Sequence, residues 1–255
     1  MQAVILAGGF GTRISEESHL KPKPMIEIGG KPLIWHIMKL YSFHGINEFV
    51  ICLGYKGQVI KQYFHDYYLN SSNVTVDLRN NSVELHEQQI EPWKVTLVDT
   101  GEHSLTGTRL KKVAPFLTDR FCFTYGDGVG NVNLSALIQH HNASKCIATV
   151  TAVQPMGRYG LLQIERDIVT SFQEKPRGDG GWVNGGFFVC EKSVIDYIGP
   201  EDVAWEDTPL ASLVENNKLG VYKHQGFWAP MDTMRDKEHL EKIWQTGKAP
   251  WKIWE

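Results

Sequence analysis

Runs of apolar residues with little polar alternation recur through the first part of the chain and predict buried strands. They stand at residues 3–7, 49–53, 94–99 and 121–125. Such runs are typical of parallel strands covered on both faces. Between them, apolar positions recur at helical spacing over residues 33–41. We expect Lys31 and Pro32 to open this helix, with the proline at its favoured first position, and a second helix follows over 59–68. The alternation of strand and helix predicts a parallel, doubly wound sheet.

From residue 147 the pattern changes, and the predicted strands are closely spaced rather than alternating regularly with helices. Residues 147–153 form a predicted strand, and 161–165 and 168–172 flank a tight turn. The remaining predicted elements are a surface hairpin within 70–89, a helix ending near 216, an edge strand at 220–222 and a last helix at 233–245. We therefore expect an α/β fold with a mostly parallel mixed sheet, Rossmann-like, and a small β-rich part.

The turn after the first strand carries the strongest chemical signal. Gly8, Gly9 and Gly11 are followed directly by Thr12 and Arg13. Successive backbone N–H groups in such a turn can cradle an anion, and a guanidinium adds a planar fork of donors for phosphate oxygens. Ligands of doubly wound sheets bind at the carboxyl ends of strands, where this turn must lie. The turn therefore predicts a nucleoside triphosphate site.

Two better-known phosphate motifs are excluded, and one simpler interpretation stays open. The dinucleotide fingerprint requires a glycine where this chain has Ile14, and the Walker loop requires Gly-Lys-Ser/Thr where it has Gly11-Thr12-Arg13. A glycine-rich turn without any ligand remains possible from the glycines alone. Lys23, held between two prolines, makes that interpretation weaker.

Two further strand ends carry candidate groups. Thr106 and Arg109 begin a predicted helix, whose free N–H groups suit an anion or a base edge. Asp127 lies between two glycines after the strand at 121–125. It is either the first residue of an Asx turn or a carboxylate ligand for Mg²⁺, which prefers hard oxygen ligands and accompanies phosphates.

Composition narrows the class of protein. The 255 residues carry a net charge of −3 and are 42% hydrophobic, so neither nucleic acid nor an anionic membrane surface is an expected partner. No basic, apolar leader and no 18-residue apolar window is present, and four scattered cysteines are expected to be reduced. We therefore expect a cytoplasmic protein without a membrane span.

Two further segments have a predicted environment. His140 and His141 are predicted to lie on a solvated helix face. The aromatic tail at 250–254 is expected to pack on the domain or on another subunit.

Several motifs occur together in one order along the chain. They are Gly-Gly-Phe-Gly-Thr-Arg, Lys-Pro-Lys-Pro, Tyr-Gly-Asp-Gly-Val, Phe-Gln-Glu-Lys-Pro, Asn-Gly-Gly-Phe-Phe and Pro-Met-Asp-Thr. With them the chain resembles the sugar-1-phosphate nucleotidyltransferases over its whole length. Trp-Glu before Pro-Leu and the ending Lys-Ala-Pro-Trp-Lys are similar to the branch that transfers a cytidylyl group from CTP to α-D-glucose 1-phosphate. That branch releases pyrophosphate and makes CDP-glucose for the dideoxysugars of bacterial O-antigen.

The resemblance implies a single nucleotidyltransferase domain, 1–255, with Mg²⁺ as cofactor and a homotrimer or homohexamer as assembly. Residues 1–145 would mainly bind the nucleotide and residues 146–255 the sugar phosphate. The implied nucleotide-binding residues are Leu6, Ala7, Gly8, Gly9, Phe10, Gly11, Thr12, Arg13, Lys23, Thr106, Gly107, Arg109, Gly126 and Asp127. The implied sugar-phosphate residues are Tyr125, Gly160, Glu174, Lys175, Asn184 and Gly186. Asp127 and Asp232 would hold the metal.

The implied reaction needs positively charged groups to neutralise the phosphates, and it does not need a general base. An already anionic sugar phosphate attacks the α-phosphorus, so Arg13, Lys23 and Lys175, with Asp127 and Asp232, are the implied catalytic residues. We hypothesise that Arg109 selects cytosine, whose O2 and N3 are acceptors, over uracil. One position departs from close relatives, because Thr108 stands where glycine is expected.

The alternatives are three. The first is a uridylyl- or thymidylyltransferase, or a transferase for another sugar 1-phosphate. The second, from another class, is a non-catalytic subunit that binds a nucleotide sugar and regulates a partner. The third is a dinucleotide-dependent oxidoreductase, which the residue at position 14 disfavours.

Overall fold

A central mixed sheet organises the protein. The computed structural model describes residues 1–86, 90–155, 161–173 and 181–254. Among these residues, seven strands form one sheet in the spatial order β7–β5–β6–β4–β1–β2–β3. The strands are β1 Gln2–Ala7, β2 Glu48–Leu53, β3 Lys94–Asp99, β4 Arg120–Tyr125, β5 Ala148–Val153, β6 Val183–Glu191 and β7 Leu219–His224.

Most neighbouring strands run parallel. The pairs β1–β2, β1–β4, β2–β3 and β5–β7 are parallel, whereas β6 runs antiparallel to both β4 and β5. The carboxyl ends of β1, β2, β3 and β4 therefore meet at one edge. The predicted fold class, a mostly parallel mixed α/β sheet, is confirmed.

The helices and the smaller strand pairs surround this sheet. The α-helices are α1 Ser15–Ser18, α2 Leu33–Phe43, α3 Gly57–Asn70, α4 Thr106–Lys112, α5 Leu134–Ala143, α6 Thr208–Glu215 and α7 Met234–Gln245. Short 3₁₀ helices span Thr12–Ile14, Lys23–Met25, Ala114–Phe116 and Lys192–Tyr197. The small antiparallel pairs are Glu27–Ile28 with Lys31–Pro32, Asn73–Asp77 with Ser82–His86, Gly128–Gly130 with Trp228–Pro230, and Leu161–Glu165 with Ile168–Gln173.

Strand β1 is buried on both faces, which explains its unbroken apolar run. Ala3 and Ile5 pack into the hydrophobic cluster on one side of the sheet. Val4 and Leu6 pack into the cluster on the other side. All four are at most 7% exposed. A strand sandwiched in this way cannot alternate in polarity without burying an unpaired polar group.

The aromatic tail packs on the same chain. Trp251 and Trp254 are 1% and 9% exposed. Trp254 meets Trp35 of α2 at 5.8 Å between ring centroids, and Trp251 Nε1 donates to Nδ1 of His36 at 3.4 Å. Of the two expectations for the tail, contact with its own domain is confirmed.

Two sequence-based expectations need correction. His141 is 2% exposed rather than solvated, because its ring reaches Thr149 Oγ1 at 2.8 Å and Glu191 Oε1 at 3.2 Å; His140 alone is exposed. The first long helix begins at Leu33, and Pro32 is its N-cap within a two-residue strand. In both cases the partners come from other segments, Thr149 and Glu191 for His141 and Glu27 for Pro32, which the local pattern does not show.

The buried His36 predicts a loss of stability in acid. Its Nε2 lies 2.9 Å from the carbonyl of Ile28, and Nδ1 accepts from Trp251, so a second proton has no place. Burial lowers the pKa of His36 to about 4. The folded state therefore binds fewer protons than the unfolded state, and stability present above pH 6.5 is lost as pH falls towards 4, by about 3 kcal/mol.

Urea unfolding at a series of pH values checks this expectation. The His36→Gln variant should show a smaller drop in unfolding free energy between pH 6.5 and pH 4 than the wild-type protein. Equal drops in the two proteins would contradict the assignment to His36.

Candidate active site

The carboxyl ends of β1, β3 and β4 open into one cavity of about 480 Å³. Its size is within the range of small-molecule sites. Segments that follow the parallel strands supply most of its wall, as expected for a doubly wound sheet. The lining includes these predicted residues: Leu6, Ala7, Gly8, Gly9, Phe10, Gly11, Thr12, Lys23, Thr106, Arg109, Tyr125, Gly126, Asp127 and Asp232.

The glycine-rich turn after β1 forms one wall. At Gly8, a Cβ atom would lie 2.1 Å from Nη1 of Arg109, so any side chain there would displace the guanidinium. Gly11 has a φ of +64°, which glycine adopts without strain. The turn then continues into the 3₁₀ helix Thr12–Ile14. The side chain of Arg13 lies outside the described part of the structure.

Arg109, in α4, ties the ends of three parallel strands together. It is 4% exposed, and Nη1 and Nη2 make five hydrogen bonds of 2.7–3.0 Å. The acceptors are the carbonyls of Gly8, Leu53, Gly101 and Glu102 and the hydroxyl of Thr100. Arg109 also lines the cavity. Any contact with a base must therefore start from this anchored position, with Nε as the nitrogen that these five bonds do not use.

A small strand pair brings the two predicted metal ligands together. Gly128–Gly130 pairs with Trp228–Pro230, and the next residue, Met231, donates its N–H to the carbonyl of Asp127 at 2.7 Å. Asp127 and Asp232, more than a hundred residues apart in sequence, therefore stand side by side. The sequence alone could not show this convergence.

Lys23 lies between these two carboxylates. Its Nζ is 2.7 Å from Asp232 Oδ1 and 3.2 Å from Asp127 Oδ2. The side chain of Lys23 is 12% exposed, whereas that of Asp127 is 47% exposed and faces the cavity. Two carboxylates that share one ammonium define a point where positive charge is stabilised.

The start of α7 fixes the position of Asp232. Thr233 is the N-cap of α7, and Asp236 completes a capping box with it. Oδ2 of Asp236 also accepts from the N–H of Asp232 at 3.0 Å. Capping interactions of this kind satisfy the free donors at a helix start, so the backbone that carries Asp232 is held on a rigid element.

Glu206 connects two parts of the cavity wall and was missed by sequence reasoning. Thr106 donates its hydroxyl to Oε2 of Glu206 at 2.6 Å, and Tyr125 donates to Oε1. Burial and the nearby carboxylate raise the pKa of Tyr125 well above its usual range, so its hydroxyl stays a donor. The motif Trp205-Glu206 was the available signal.

A smaller cavity of about 40 Å³ adjoins the first. Tyr125 and Asp127 line both, and Asn184 and Gly186 line the smaller one. Asn184 Nδ2 donates to the Tyr125 hydroxyl at 3.3 Å, and its Oδ1 accepts from the N–H of Gly186 at 2.8 Å. The predicted sugar-side residues in the described part thus form one group beside the main cavity.

Some predicted residues are not part of either wall. Gly107 is buried against the backbone at 203–205 and does not line the cavities described here. Gly160, Glu174 and Lys175 lie outside the described residues. Besides Glu206, the residues that sequence reasoning missed at the main cavity are Ile14, Pro24, Glu102, His103, Ser104, Leu105 and Ala204.

Thr108, the position that departs from close relatives, has a structural role here. Its hydroxyl accepts from the N–H of Val203 at 3.0 Å, and its own N–H donates to the carbonyl of Val203 at 3.2 Å. It does not line the main cavity. The hydroxyl therefore attaches α4 to the segment that carries Glu206.

The donor set at Asp127 and Asp232 fits a magnesium-like cation. Both contribute carboxylate oxygens, and such ions bind through one or two carboxylates and complete their shell with water and substrate phosphates. Among the described residues, no group of three or more histidines, cysteines or acidic residues gathers at one point. No described helix is both long enough and apolar enough to cross a membrane.

Fold and site together define an enzyme that transfers nucleotidyl groups. The family model described as "Nucleotidyl transferase" matches residues 2–228, so the chain belongs to that family. It is 56% identical, over the whole length of both chains, to a glucose-1-phosphate cytidylyltransferase of Salmonella typhi. It is 43% identical, again over both full lengths, to a probable glucose-1-phosphate cytidylyltransferase of Bacillus subtilis.

A solved structure supports the fold. UDP-glucose pyrophosphorylase complexed with UDP-glucose superposes with a TM-score of 0.69 at 15% identity and covers 96% of this chain and 98% of its own. At that identity the likeness concerns the fold alone.

Replacement of Arg109 by lysine is expected to lower the free energy of unfolding by about 2 kcal/mol. An ammonium cannot reproduce the planar fork that binds five acceptors, so buried carbonyls lose their partners. Urea denaturation of Arg109→Lys measures the loss. Lys112 is the matched control, because its exposed Nζ also donates to Thr100 O, at 2.9 Å. Lys112→Ala should change stability by less than about 0.5 kcal/mol; equal losses would argue against the anchoring role.

Proposed function

We propose that this protein transfers a cytidylyl group from CTP to α-D-glucose 1-phosphate, releasing pyrophosphate and forming CDP-glucose. The 56% identity over the whole chain supports this substrate pair. The geometric observation that carries the chemistry is Lys23 held between Asp127 and Asp232 beside the glycine-rich turn. A cation held between two carboxylates in the wall of a cavity large enough for a small molecule suits a reaction between polyanions.

The cofactor we propose is Mg²⁺, held by Asp127 and Asp232. Nucleotidyltransferases generally use a divalent metal, and the two carboxylates supply the hard oxygen ligands that Mg²⁺ prefers. When bound, the ion would neutralise charge on the phosphates and align them.

Protein groups account for the positioning of the nucleotide. The N–H groups from Gly8 to Thr12 would hold the triphosphate, and Lys23 would face the α-phosphate, where negative charge develops. We assign Arg13 to the leaving pyrophosphate and Lys175 to the attacking sugar phosphate, as the family resemblance implies. The attacking oxygen is already anionic at neutral pH, so no general base is required. Orientation and charge neutralisation then supply most of the rate acceleration.

Selection of cytosine is proposed to take place near α4. Thr106 and Arg109 line that part of the cavity. The guanidinium is rigidly held by backbone carbonyls, so Nε would present a donor to N3 of cytosine from a fixed point. Uracil carries a proton on N3 and would meet that donor with another.

The hexose is proposed to bind where Tyr125, Asn184 and Gly186 meet. Glu206 lies next to this group and can accept hydrogen bonds in addition to those from Thr106 and Tyr125, because a carboxylate offers about four lone-pair sites. Sugar hydroxyls are donors that match it. Gly160 and Glu174 are assigned to the same region by the family resemblance.

The wider setting follows the same resemblance. We propose that the enzyme is cytoplasmic and supplies CDP-glucose to dideoxysugar and O-antigen synthesis. We also propose a single domain, in which residues 1–145 mainly bind the nucleotide and residues 146–255 mainly bind the sugar phosphate. A homotrimer or homohexamer is the proposed assembly. The hairpin of Asn73–Asp77 and Ser82–His86 supports an assembly, because Val74, Val76 and Val83 are each 41–55% exposed there.

The substrate pair is tested by measuring pyrophosphate release with CTP, UTP, dTTP and GTP against several sugar 1-phosphates, with and without Mg²⁺. We expect CTP with glucose 1-phosphate to have the highest kcat/KM, by about a hundredfold or more over UTP, since a mismatched donor pair in a closed site is costly. Faster turnover with UTP or dTTP would favour the uridylyl- or thymidylyltransferase. Binding of CTP without any turnover would favour the regulatory subunit.

The role of Asp232 is tested by Asp232→Ala. Loss of this carboxylate is expected to lower kcat by at least about a hundredfold, because the charge arrangement at the α-phosphate is lost. The fold should persist, since Lys23 keeps Asp127 as its partner. Circular dichroism and turnover are measured together, with Asp196→Ala, an exposed carboxylate outside the cavity, as control. Near-normal turnover in Asp232→Ala would contradict the assignment.

A further inference from the structure

Three aromatic rings from three different segments meet at the rim of the main cavity. The ring of Phe10 lies 5.1 Å from that of Tyr55 and 5.5 Å from that of His103, measured between centroids. Phe10 belongs to the glycine-rich turn, Tyr55 follows β2, and His103 lies between β3 and α4. Phe10 and His103 line the cavity, whereas Tyr55 does not.

Tyr55 is the fixed support of this group. Its N–H donates to the carbonyl of Gly8 at 3.1 Å, and its hydroxyl donates to the carbonyl of Ser18 at 3.3 Å. Nζ of Lys56 lies 5.2 Å from the centre of its ring. Phe10 therefore rests on a ring that is attached both to the glycine-rich turn and to α1.

A phenyl ring in this turn needs an explanation other than anion binding or core packing. Phe10 stands between Gly9 and Gly11, in a turn whose N–H groups suit phosphates, and its own side chain offers no donor. It is 38% exposed, so its ring is only partly covered by the protein. A flat heterocycle laid against the open part of Phe10 and His103 would cover that apolar surface and add stacking.

We propose that Phe10 and His103 form an aromatic clasp that covers the base of the bound nucleoside triphosphate. This inference rests on the proposed function only in that the cavity holds a nucleotide. Every base has a π-face, so the clasp raises affinity without choosing between bases. Residues near α4 would then select the base, whereas Phe10 and His103 of the clasp would retain it.

Isothermal titration of CTP and of inorganic tripolyphosphate, both with Mg²⁺, tests the clasp. The variants Phe10→Ala and His103→Ala are each expected to bind CTP about tenfold more weakly, the scale of one lost base–aromatic stack. Their affinity for tripolyphosphate, which has no base, should stay within twofold of the wild-type value. Phe10→Trp keeps a flat ring and should retain CTP binding.

Phe116→Ala is the matched control, because Phe116 is 48% exposed and does not line the main cavity. It should bind both ligands as the wild-type protein does. Unchanged CTP affinity in Phe10→Ala and His103→Ala would overturn the proposal, and so would equal weakening of CTP and tripolyphosphate, which would indicate a distorted phosphate turn. If Phe10→Ala does not fold, His103→Ala and Phe10→Leu decide the question.

The proposed function can fail separately from the clasp. Weaker CTP binding in the two alanine variants, in a protein that makes no CDP-glucose, would leave the clasp standing and remove the proposed reaction. Normal CDP-glucose synthesis with unchanged CTP affinity in both variants would support the proposed reaction and overturn the clasp.

Discussion

The ion pairs of Lys23 with Asp127 and Asp232 are the constraint around which the site is built. Two carboxylates this close repel each other unless a cation lies between them. The ammonium of Lys23, at 2.7 and 3.2 Å from the carboxylate oxygens, offsets that repulsion and fixes the two side chains beside the glycine-rich turn. In the reaction that we propose, positive charge is needed at this same point, because both substrates are polyanions.

The sheet topology makes this arrangement possible. Parallel strands β1 and β4 deliver the glycine-rich turn and Asp127 to the same edge. Asp232 arrives from far along the chain because Trp228–Pro230 pairs with Gly128–Gly130, directly after Asp127. The capping box at the start of α7 then fixes its backbone. The sheet edge, the small strand pair and the capping box each position one part of the site, and the site requires all three.

Local signals in the sequence were sufficient for most of the elements and for the place of the glycine-rich turn at the end of β1. The unbroken apolar run of β1 indicates burial on both faces. Gly8 and Gly11 stand where a side chain would be disfavoured, by contact with Arg109 at the first and by a positive φ at the second. The burial of His141 and the five partners of Arg109 were out of reach, because they depend on segments distant in sequence. Glu206 was missed for the same reason. Its partners Thr106 and Tyr125 lie on two other elements, and the motif Trp205-Glu206 does not by itself indicate them.

The two sides of the cavity differ in how they are held, and Glu206 joins them. On the side where we propose the nucleotide binds, Arg109 holds the ends of three strands with five hydrogen bonds, so little can move there without breaking buried pairs. On the side where we propose the hexose binds, the contacts are made by the side-chain hydroxyl of Tyr125 and the side-chain amide of Asn184, groups that can exchange hydrogen-bond partners with a ligand. Because Glu206 accepts from both Thr106 and Tyr125, any change in the hydrogen bonding of Tyr125 also alters the carboxylate that holds Thr106. Glu206 is therefore the side chain through which the two parts of the cavity wall are physically connected.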